Sequence, residues 1–411
     1  MTSGHLKNDT LISKNQRNDV LEEDMGISID SNLSTILSIS TRDISKPFQG
    51  DTRLILSSLG ALALGGYEVV HLYLTPNKPR EPHIIIVTDG KKKVSIKVIE
   101  IFSGVDENSW IGWFKCHKLI DDVTNQLYKK PGAIICERRS IFTLCLRLSK
   151  YFKVPLILRI DSLKSFWALK RARYTKNMIP VLKAPFAIAS YVLMAKYADY
   201  GICVTKVLER KLRRLGIKNV TTIEPTYLTI PEKNTCVSDF KLDLDKDYVI
   251  ISTKDYKVIK SIASKTPDLR YIIIGETPHK SVIEGLPKNI VWAGIIPDQK
   301  LIQLYKNALC TIIYRPWLSG ISMTLIETLY YGRPCIINSA ALNLMNDEDI
   351  EGVLTVDDVS TWLTLLKKFQ NDKSFKSLLE TAARRFFEKK FSPEVYVTKM
   401  TNILNIIKRQ Y

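Results

Sequence analysis

The residues most suggestive of chemistry lie in one short segment of the last quarter of the chain, 317–337, which reads WLSGISMTLIETLYYGRPCII. A loop with Ser319 and Gly320 leads into a predicted helix that begins near Met323. The first N–H groups of a helix donate hydrogen bonds and carry partial positive charge, so this segment predicts an anion-binding site. Glu327 follows one turn later, where its carboxylate can accept hydrogen bonds from hydroxyls such as those of a ribose. Composition alone favours a simpler interpretation of Glu327, as a helix-surface residue.

Charged and small residues follow the predicted strands in both halves of the chain. Ligands of open α/β sheets bind outside the carboxyl ends of the strands, so these residues are expected to line a site. Lys254 and Arg315 then face the same crevice as Arg138 and Arg139, which favours a polyphosphate ligand. Each of these cations, taken singly, is equally compatible with a solvated loop position. Other residues that follow strands are Arg42, Glu137, Asp161, Glu276 and Thr277.

Short apolar runs alternate with helical stretches from about residue 33 onward. We predict strands at 34–40, 68–74, 131–136, 155–160, 200–204 and 220–223, and again at 248–252, 271–275, 290–294, 310–314 and 334–338. Asp89-Gly90 predicts a hairpin between strands at 83–88 and 94–101. Most runs are apolar on both faces, which indicates parallel sheets covered by helices on both sides. The predicted fold class is α/β, with two Rossmann-like doubly wound domains that face a cleft.

Polar segments suggest where the domains end. Residues 1–32 are polar and aperiodic, and we predict a mobile leader there. The polar, proline-containing stretch 231–237 suits an interdomain linker, which gives a first domain over 33–230 and a second over 231–390. The last segment, 391–411, is predicted to form a helix that crosses back to the first domain.

The 411 residues suggest two or three domains, and their formal charge of +18 implies an anionic partner. Nucleic acid, lipid headgroups and a phosphorylated substrate all satisfy this. The seven cysteines are scattered, without a C-x-x-C pair or a histidine at metal-ligand spacing, so we expect a reduced, cytoplasmic protein without a zinc site. No secretory signal is predicted. The most apolar window, 184–195, would span about 18 Å as a helix, against roughly 30 Å for a bilayer.

The order of several motifs resembles that of a known enzyme family. The motifs are GGYEV at 65–69, ADYGICVTKVLERKLRRLGI at 198–217, the proline turn at Pro225, YIIIGETP at 271–278, VWAGIIPDQKLIQLYKNA at 291–308, SGISMTLIETLYYGRPCII at 319–337 and FSPEVYVTKMTNIL at 391–404. Together they resemble the retaining glycosyltransferases of family 4 (group 1), which have the GT-B fold. The resemblance implies a first domain that binds the acceptor and a second domain that binds a nucleotide sugar.

The resemblance also implies roles for donor-site residues. Glu327 matches the second glutamate of the family's Glu-x7-Glu motif, which binds the donor ribose. Lys254 matches one of the two basic residues that bind the diphosphate, Lys257 is a competing alignment, and Arg315 is expected to compensate for the second. The other implied donor-site residues are Glu276 and Thr277 near the base and ribose, and Gly320, Ser322, Met323 and Thr324 around the distal phosphate.

The sequence departs from the family's pattern at three places. Ser319 occupies the position of the first glutamate, near the donor sugar, and Asp161 occupies that of a cleft histidine; both are catalytic candidates. Gly50 and Asp51 represent the family's glycine loop after the first strand. These two residues are expected on the acceptor side, together with Arg138 and Arg139.

The implied reaction is transfer of a hexosyl group from a nucleoside-diphosphate sugar to a hydroxyl, with retention of configuration. No Asp-x-Asp cluster occurs in a predicted cleft loop, so we expect neither a metal nor a cofactor besides the donor. Because Ser319 replaces a carboxylate, a catalytically inactive glycosyltransferase-like protein is an alternative, as is another enzyme of the same architecture. A nucleic-acid-binding protein would explain the charge, but the basic residues are dispersed and no binding motif is found.

A basic, aromatic stretch precedes the apolar window. Residues 164–183 read KSFWALKRARYTKNMIPVLK and lead directly into 184–195. Such a stretch favours attachment to an anionic membrane surface and access to a lipid-linked acceptor, with the protein peripheral on the inner face of the cell membrane. The alternative is a solvated helix followed by a core helix.

Overall fold

The fold contains two separate sheets of eight and six strands. The computed structural model describes residues 34–46, 50–103, 119–161, 168–175, 178–231, 247–253, 255–275, 285–315, 321–342 and 350–409. Both sheets are largely parallel and alternate with helices along the chain. The α/β fold class predicted from the apolar runs is therefore confirmed.

The first sheet has the strand order β3-β4-β2-β1-β5-β6-β7-β8. Its strands are β1 Thr35–Ser40, β2 Glu68–Thr75, β3 His83–Thr88, β4 Lys93–Phe102, β5 Ala133–Cys136, β6 Leu156–Ile160, β7 Tyr200–Cys203 and β8 Val220–Thr222. The helices in this half are α1 Gly50–Leu64, α2 Ile120–Gln126, α3 Phe142–Phe152, α4 Ala168–Thr175, α5 Ile179–Tyr197 and α6 Lys206–Arg214. Only β3 runs antiparallel among the described strands, paired with β4 as the predicted hairpin. In its turn, Asp89 accepts hydrogen bonds from the N–H groups of Lys91 and Lys92.

The second sheet is parallel throughout its described strands, in the order β11-β10-β9-β12-β13-β14. They are β9 Tyr248–Thr253, β10 Arg270–Ile274, β11 Ile290–Gly294, β12 Cys310–Tyr314, β13 Cys335–Ile337 and β14 Val353–Thr355. The helices are α7 Tyr256–Lys265, α8 Asp298–Asn307, α9 Met323–Tyr330, α10 Ser339–Leu342, α11 Val359–Asn371 and α12 Lys373–Phe391. The short edge strand β14 was not among the predicted strands, because its residues are only partly buried and carry no long apolar run.

The last helix, α13 Pro393–Lys408, packs against the first sheet's layer rather than the second. Val397 and Met400 belong to the same buried cluster as Ile55 of α1. The approach is close at Gly65, where a Cβ atom would lie 2.5 Å from a methyl carbon of Val397. A larger side chain at position 65 would therefore push the two helices apart.

Two helices from the two halves meet end to end. Gly50 begins α1 after β1, and Met323 begins α9 after β12; a Cβ atom on Gly50 would lie 3.7 Å from Cγ of Met323. Leu54, one turn into α1, is buried in one cluster with Met323 and Leu325. The carboxyl-end edges of the two sheets are thereby brought to one interface, which is where ligands of such sheets bind.

Candidate active site

A hydrogen-bonded group of polar side chains lies at the carboxyl-end edge of the second sheet. Arg315, the residue after β12, donates from Nη2 to Oγ of Ser252 at 2.7 Å. The same Ser252 oxygen lies 3.3 Å from Oγ1 of Thr324, in the first turn of α9. Asn338, after β13, fixes the main chain of Arg315 through bonds to its N–H at 2.8 Å and its carbonyl at 3.0 Å. We call Ser252, Arg315 and Thr324 the phosphate cluster.

The phosphate cluster combines a cation with a helix N-terminus. Burial lowers the pKa of Arg315, and the nearby Tyr256 acts in the opposite direction. Within the described ranges, no carboxylate lies in ion-pair contact with Arg315. Ser322 is the N-cap of α9, yet its hydroxyl makes no capping hydrogen bond within that helix. A partly buried guanidinium beside the start of a helix is suited to a phosphate group.

Glu327 lies one turn further along α9, within reach of charges from both halves of the chain. Its Oε2 accepts a hydrogen bond from the Tyr305 hydroxyl of α8 at 2.9 Å. Burial raises the pKa of Glu327 to about 7, although the charge of Arg53 and the Tyr305 hydrogen bond lower it, and Asp298 adds to the increase. The side chain is therefore part of an internal polar contact and is not a solvated helix-surface residue.

Arg53 and Asp298 form a buried ion pair between the two halves. Arg53 of α1 donates from Nη1 to Oδ2 of Asp298 at 2.8 Å, and its Nη2 contacts Oδ1. Asp298, at the start of α8, also accepts the N–H of Ile230 at 2.8 Å. The Arg53 guanidinium lies 5.5 Å from the ring centroid of Tyr227. The pair therefore ties the first helix to the second sheet's layer and to the segment that joins them.

A second polar group lies at the matching edge of the first sheet. Asp51, in the first turn of α1, forms ion pairs with Arg138 and, at 3.2 Å, with Arg42. Arg42 and Arg138 follow the adjacent parallel strands β1 and β5. Burial alone would raise the pKa of Asp51, but the charges of Arg138 and Arg42 lower it below its ordinary value. We call Arg42, Asp51 and Arg138 the arginine cluster.

Asp161 belongs to a separate network inside the first sheet's layer. Arg159 donates from Nε to Oδ1 of Asp161 at 2.9 Å and lies 3.6 Å from Oε2 of Glu137. The other Glu137 oxygen accepts a hydrogen bond from Ser38 at 3.1 Å, and Ser38 also bonds His71. Burial raises the pKa of Glu137 to about 7 against the charge of Arg159, and burial lowers the pKa of His71 to about 4.

Helix α5 presents an apolar stripe to solvent. Five large side chains, Ile179, Leu182, Phe186, Leu193 and Tyr197, are each 48–72% exposed. Their spacings of three, four, seven and four residues place them on one face of the helix, and the exposed Lys183 and Lys196 lie on either side of that face. Neither a solvated helix nor a core helix has such a surface, because large apolar groups rarely form a continuous exposed stripe without a partner.

The structure brings some of the predicted site residues together and separates others. Arg315 and Thr324 are joined through Ser252, Asp51 forms an ion pair with Arg138, and Gly50 lies opposite Met323. Lys257 is exposed in the first turn of α7, and Arg139 donates to Ser190 of α5 at 3.1 Å. Lys254, Glu276, Thr277, Ser319 and Gly320 lie outside the described residues.

Sequence reasoning missed Ser252, Tyr305 and the Arg53–Asp298 pair. The position of Ser252 near the end of a strand is the signal that could have identified it. The ion pair joins residues 245 positions apart, and no local pattern marks either member.

Across the described residues, no three His, Cys, Asp or Glu side chains group as they would around a metal ion. In the same residues, no helix is long and apolar enough to cross a membrane.

Comparison with known proteins gives structural similarity alone. No protein-family profile and no curated sequence matches the chain. Among solved structures, it is similar to sucrose-phosphate synthase from Thermosynechococcus elongatus, with a TM-score of 0.69 and 15% identity over 92% of this chain and 100% of that one. It is also similar to Anabaena HepE in complex with UDP and glucose, with a TM-score of 0.62 and 12% identity over 91% and 100%.

A third structure extends the pattern. A glycosyltransferase from Rickettsia africae has a TM-score of 0.59 and 15% identity, over 92% of this chain and 100% of that one. All three alignments cover more than nine tenths of this chain, so they include both sheets. The protein therefore has the GT-B fold of glycosyltransferases.

Proposed function

We propose that this protein transfers a sugar from a nucleoside-diphosphate sugar to a hydroxyl acceptor. The phosphate cluster carries the proposal, because it places the Arg315 guanidinium beside the first turn of α9 at the carboxyl-end edge of the second sheet. The HepE structures contain UDP, and UDP-glucose in one case, so uridine donors are the first to test. An active transferase and an inactive homologue would both keep this cluster, so the turnover assay below distinguishes them.

The proposed mechanism rests on stabilising the leaving diphosphate. Arg315 is held by Ser252 and Asn338 before any ligand binds, so its charge needs little reorganisation as negative charge develops on the donor phosphate. We propose that Lys254, the 319–320 loop and the 276–277 segment complete the donor site, and that no metal is required. The donor phosphate would itself accept the acceptor's proton on the same face of the sugar, which gives retention.

A donor-consumption assay tests the function. The full chain is incubated with UDP-hexoses, and release of UDP is followed with and without candidate hydroxyl acceptors. We expect slow hydrolysis of one donor, accelerated by an acceptor, with the same rate in magnesium and in EDTA. Tight binding of a donor without any turnover under all these conditions would instead favour the inactive homologue.

Nucleotide affinity should depend on pH through Glu327. Its carboxylate accepts best from ribose hydroxyls when ionised, and its pKa is raised to about 7. We therefore expect affinity for the bound nucleoside diphosphate to increase as the pH rises through about 7 and then to level off. Calorimetric titrations of wild type and Glu327→Gln across this range measure the effect.

In Glu327→Gln the affinity should be lower and should depend less on pH than in wild type, and the pH dependence that is left comes from the terminal phosphate of the nucleotide, whose second pKa is about 6. A 2′-deoxy nucleotide serves as the control ligand, because its affinity should respond less to the substitution. Parallel pH profiles for the two proteins would mean that Glu327 does not contact the ribose.

We further propose that the protein docks on the inner, anionic face of the cell membrane through residues 164–195. The apolar stripe of α5, bordered by Lys183 and Lys196, supports this because such a helix inserts its apolar face while its cations meet lipid phosphates.

Phe186→Glu should abolish cosedimentation with phosphatidylglycerol-containing vesicles. Leu378→Glu, at an exposed leucine on α12, is the matched control and should bind like wild type. Wild-type protein that stays in the supernatant would contradict the proposal.

A further inference from the structure

We infer that the acceptor is an anionic amphiphile, whose charged headgroup binds at the arginine cluster and whose apolar chain lies along the stripe of α5. This inference rests on the proposed glycosyl transfer and specifies its acceptor. It follows from the position of the cluster and from a direct contact between that edge of the sheet and α5.

The arginine cluster faces the donor site and can be reached from the cleft. It follows the ends of β1 and β5 and includes the first turn of α1, whose Gly50 abuts Met323 at the start of α9. The side chains of Arg42 and Arg138 are 27% and 28% exposed, so an anion can approach them without unfolding. Arg42, Asp51 and Arg138 together carry two positive charges and one negative charge, which favours an anion at this cluster.

Asp51 fixes the arginines in place. Both guanidinium groups contact its Oδ2, and their charges keep its pKa below the ordinary value, so the carboxylate stays ionised near neutral pH. Two arginines held rigidly by a shared carboxylate suit a planar or tetrahedral oxyanion better than a mobile lysine would. A phosphate-bearing headgroup has the required geometry.

Arg139 connects this edge of the sheet to helix α5. It directly follows Arg138, donates to Oγ of Ser190 on α5, and lies 5.8 Å from the ring centroid of Tyr191. The pKa of Tyr191 is raised mainly by burial, while the charges of Arg139 and Arg138 oppose the increase, so both arginines are near α5. Phe186 and Leu193, in the stripe, precede and follow Ser190 by about one turn. A chain that leaves the arginine cluster past Arg139 therefore reaches the apolar stripe directly.

A soluble short-chain lipid tests the inference without knowledge of the true acceptor. The probe is dihexanoyl phosphatidic acid below its critical micelle concentration, titrated into the full chain. Dihexanoyl phosphatidylcholine tests the need for an anionic headgroup, and inorganic phosphate tests whether the headgroup alone suffices. Melting temperatures are recorded for every variant to confirm folding.

We expect phosphatidic acid to bind, phosphatidylcholine not to bind, and inorganic phosphate to bind more weakly than phosphatidic acid. Arg138→Gln and Arg42→Gln should each reduce phosphatidic acid affinity by about tenfold, as for lost charged hydrogen bonds. Phe186→Ser should reduce affinity for the lipid and leave that for inorganic phosphate unchanged. Arg147→Gln, at an exposed arginine of α3, is the matched control and should match wild type.

Two outcomes would overturn the inference. One is equal phosphatidic acid affinity in wild type, Arg138→Gln and Arg42→Gln. The other is loss of that binding in Arg315→Gln, which would place the probe in the phosphate cluster. Nucleoside diphosphate binding is titrated in the same variants and should survive Arg138→Gln, so failure of the donor site and failure of the acceptor site are distinguished.

Discussion

Replacing Asp298 by alanine is expected to lower the free energy of unfolding by about 3–5 kcal/mol, because it leaves the Arg53 charge buried without its partner. The two side chains are only 5% and 10% exposed, so water cannot replace the lost carboxylate. The N–H of Ile230 would lose its acceptor as well. Denaturant unfolding of wild type and Asp298→Ala, followed by circular dichroism, measures the change.

Two controls isolate the ion pair. Asp268→Ala removes an exposed carboxylate from the same half of the chain and should change stability by less than about 0.5 kcal/mol. Arg53→Met combined with Asp298→Leu removes both charges and should recover most of the stability, since a buried pair contributes little beyond an apolar replacement. If Asp298→Ala were as stable as wild type, the stability of the protein would not depend on this contact between the two halves.

Arg315→Gln is expected to weaken binding of a nucleoside diphosphate by about 1.5–3 kcal/mol, or roughly ten- to 150-fold in Kd. The guanidinium is held toward the start of α9 by Ser252, so its loss removes a preoriented charge from the diphosphate. Titration calorimetry measures the effect. Arg385→Gln, at an arginine with a side chain 68% exposed on α12, should bind the nucleotide like wild type.

Arg315→Gln should also leave the melting temperature of the protein unchanged or raise it. Burial lowers the pKa of Arg315, and in the described part of the chain no carboxylate offsets its charge, so the apo protein pays a desolvation cost to keep it. Weaker nucleotide binding together with reduced stability would indicate a structural role for Arg315. Unchanged nucleotide affinity would remove it from the donor site.

Much of the fold could be predicted from local patterns. Continuous apolar runs such as 248–252 and 310–314 became neighbouring parallel strands, because a strand covered by helices on both faces is apolar on both faces. Asp89-Gly90 predicted the hairpin between β3 and β4, because the Asp89 side chain accepts a backbone hydrogen bond in the turn and glycine adopts the backbone conformation that a tight turn needs. The short edge strand β14 was not predicted, because a strand of this kind does not need a continuous apolar run.

The environment of site residues was harder to predict than their position. Glu327 could be placed one turn into a helix, but its contact with Tyr305 and the nearby charge of Arg53 come from other helices. The buried network around Glu137 and His71 likewise depends on strands brought together by the sheet. Such contacts depend on tertiary packing, which spacing along the chain does not encode.

The most direct test of the central claim is a thermal-shift measurement on the full chain with UDP, GDP and ADP, each in magnesium and in EDTA. A ligand that binds the folded state raises the melting temperature. We predict a rise with one nucleotide, UDP first, that is the same in magnesium and EDTA and is reduced in Arg315→Gln. Folded protein whose melting temperature responds to none of the three would contradict a nucleotide-sugar donor site.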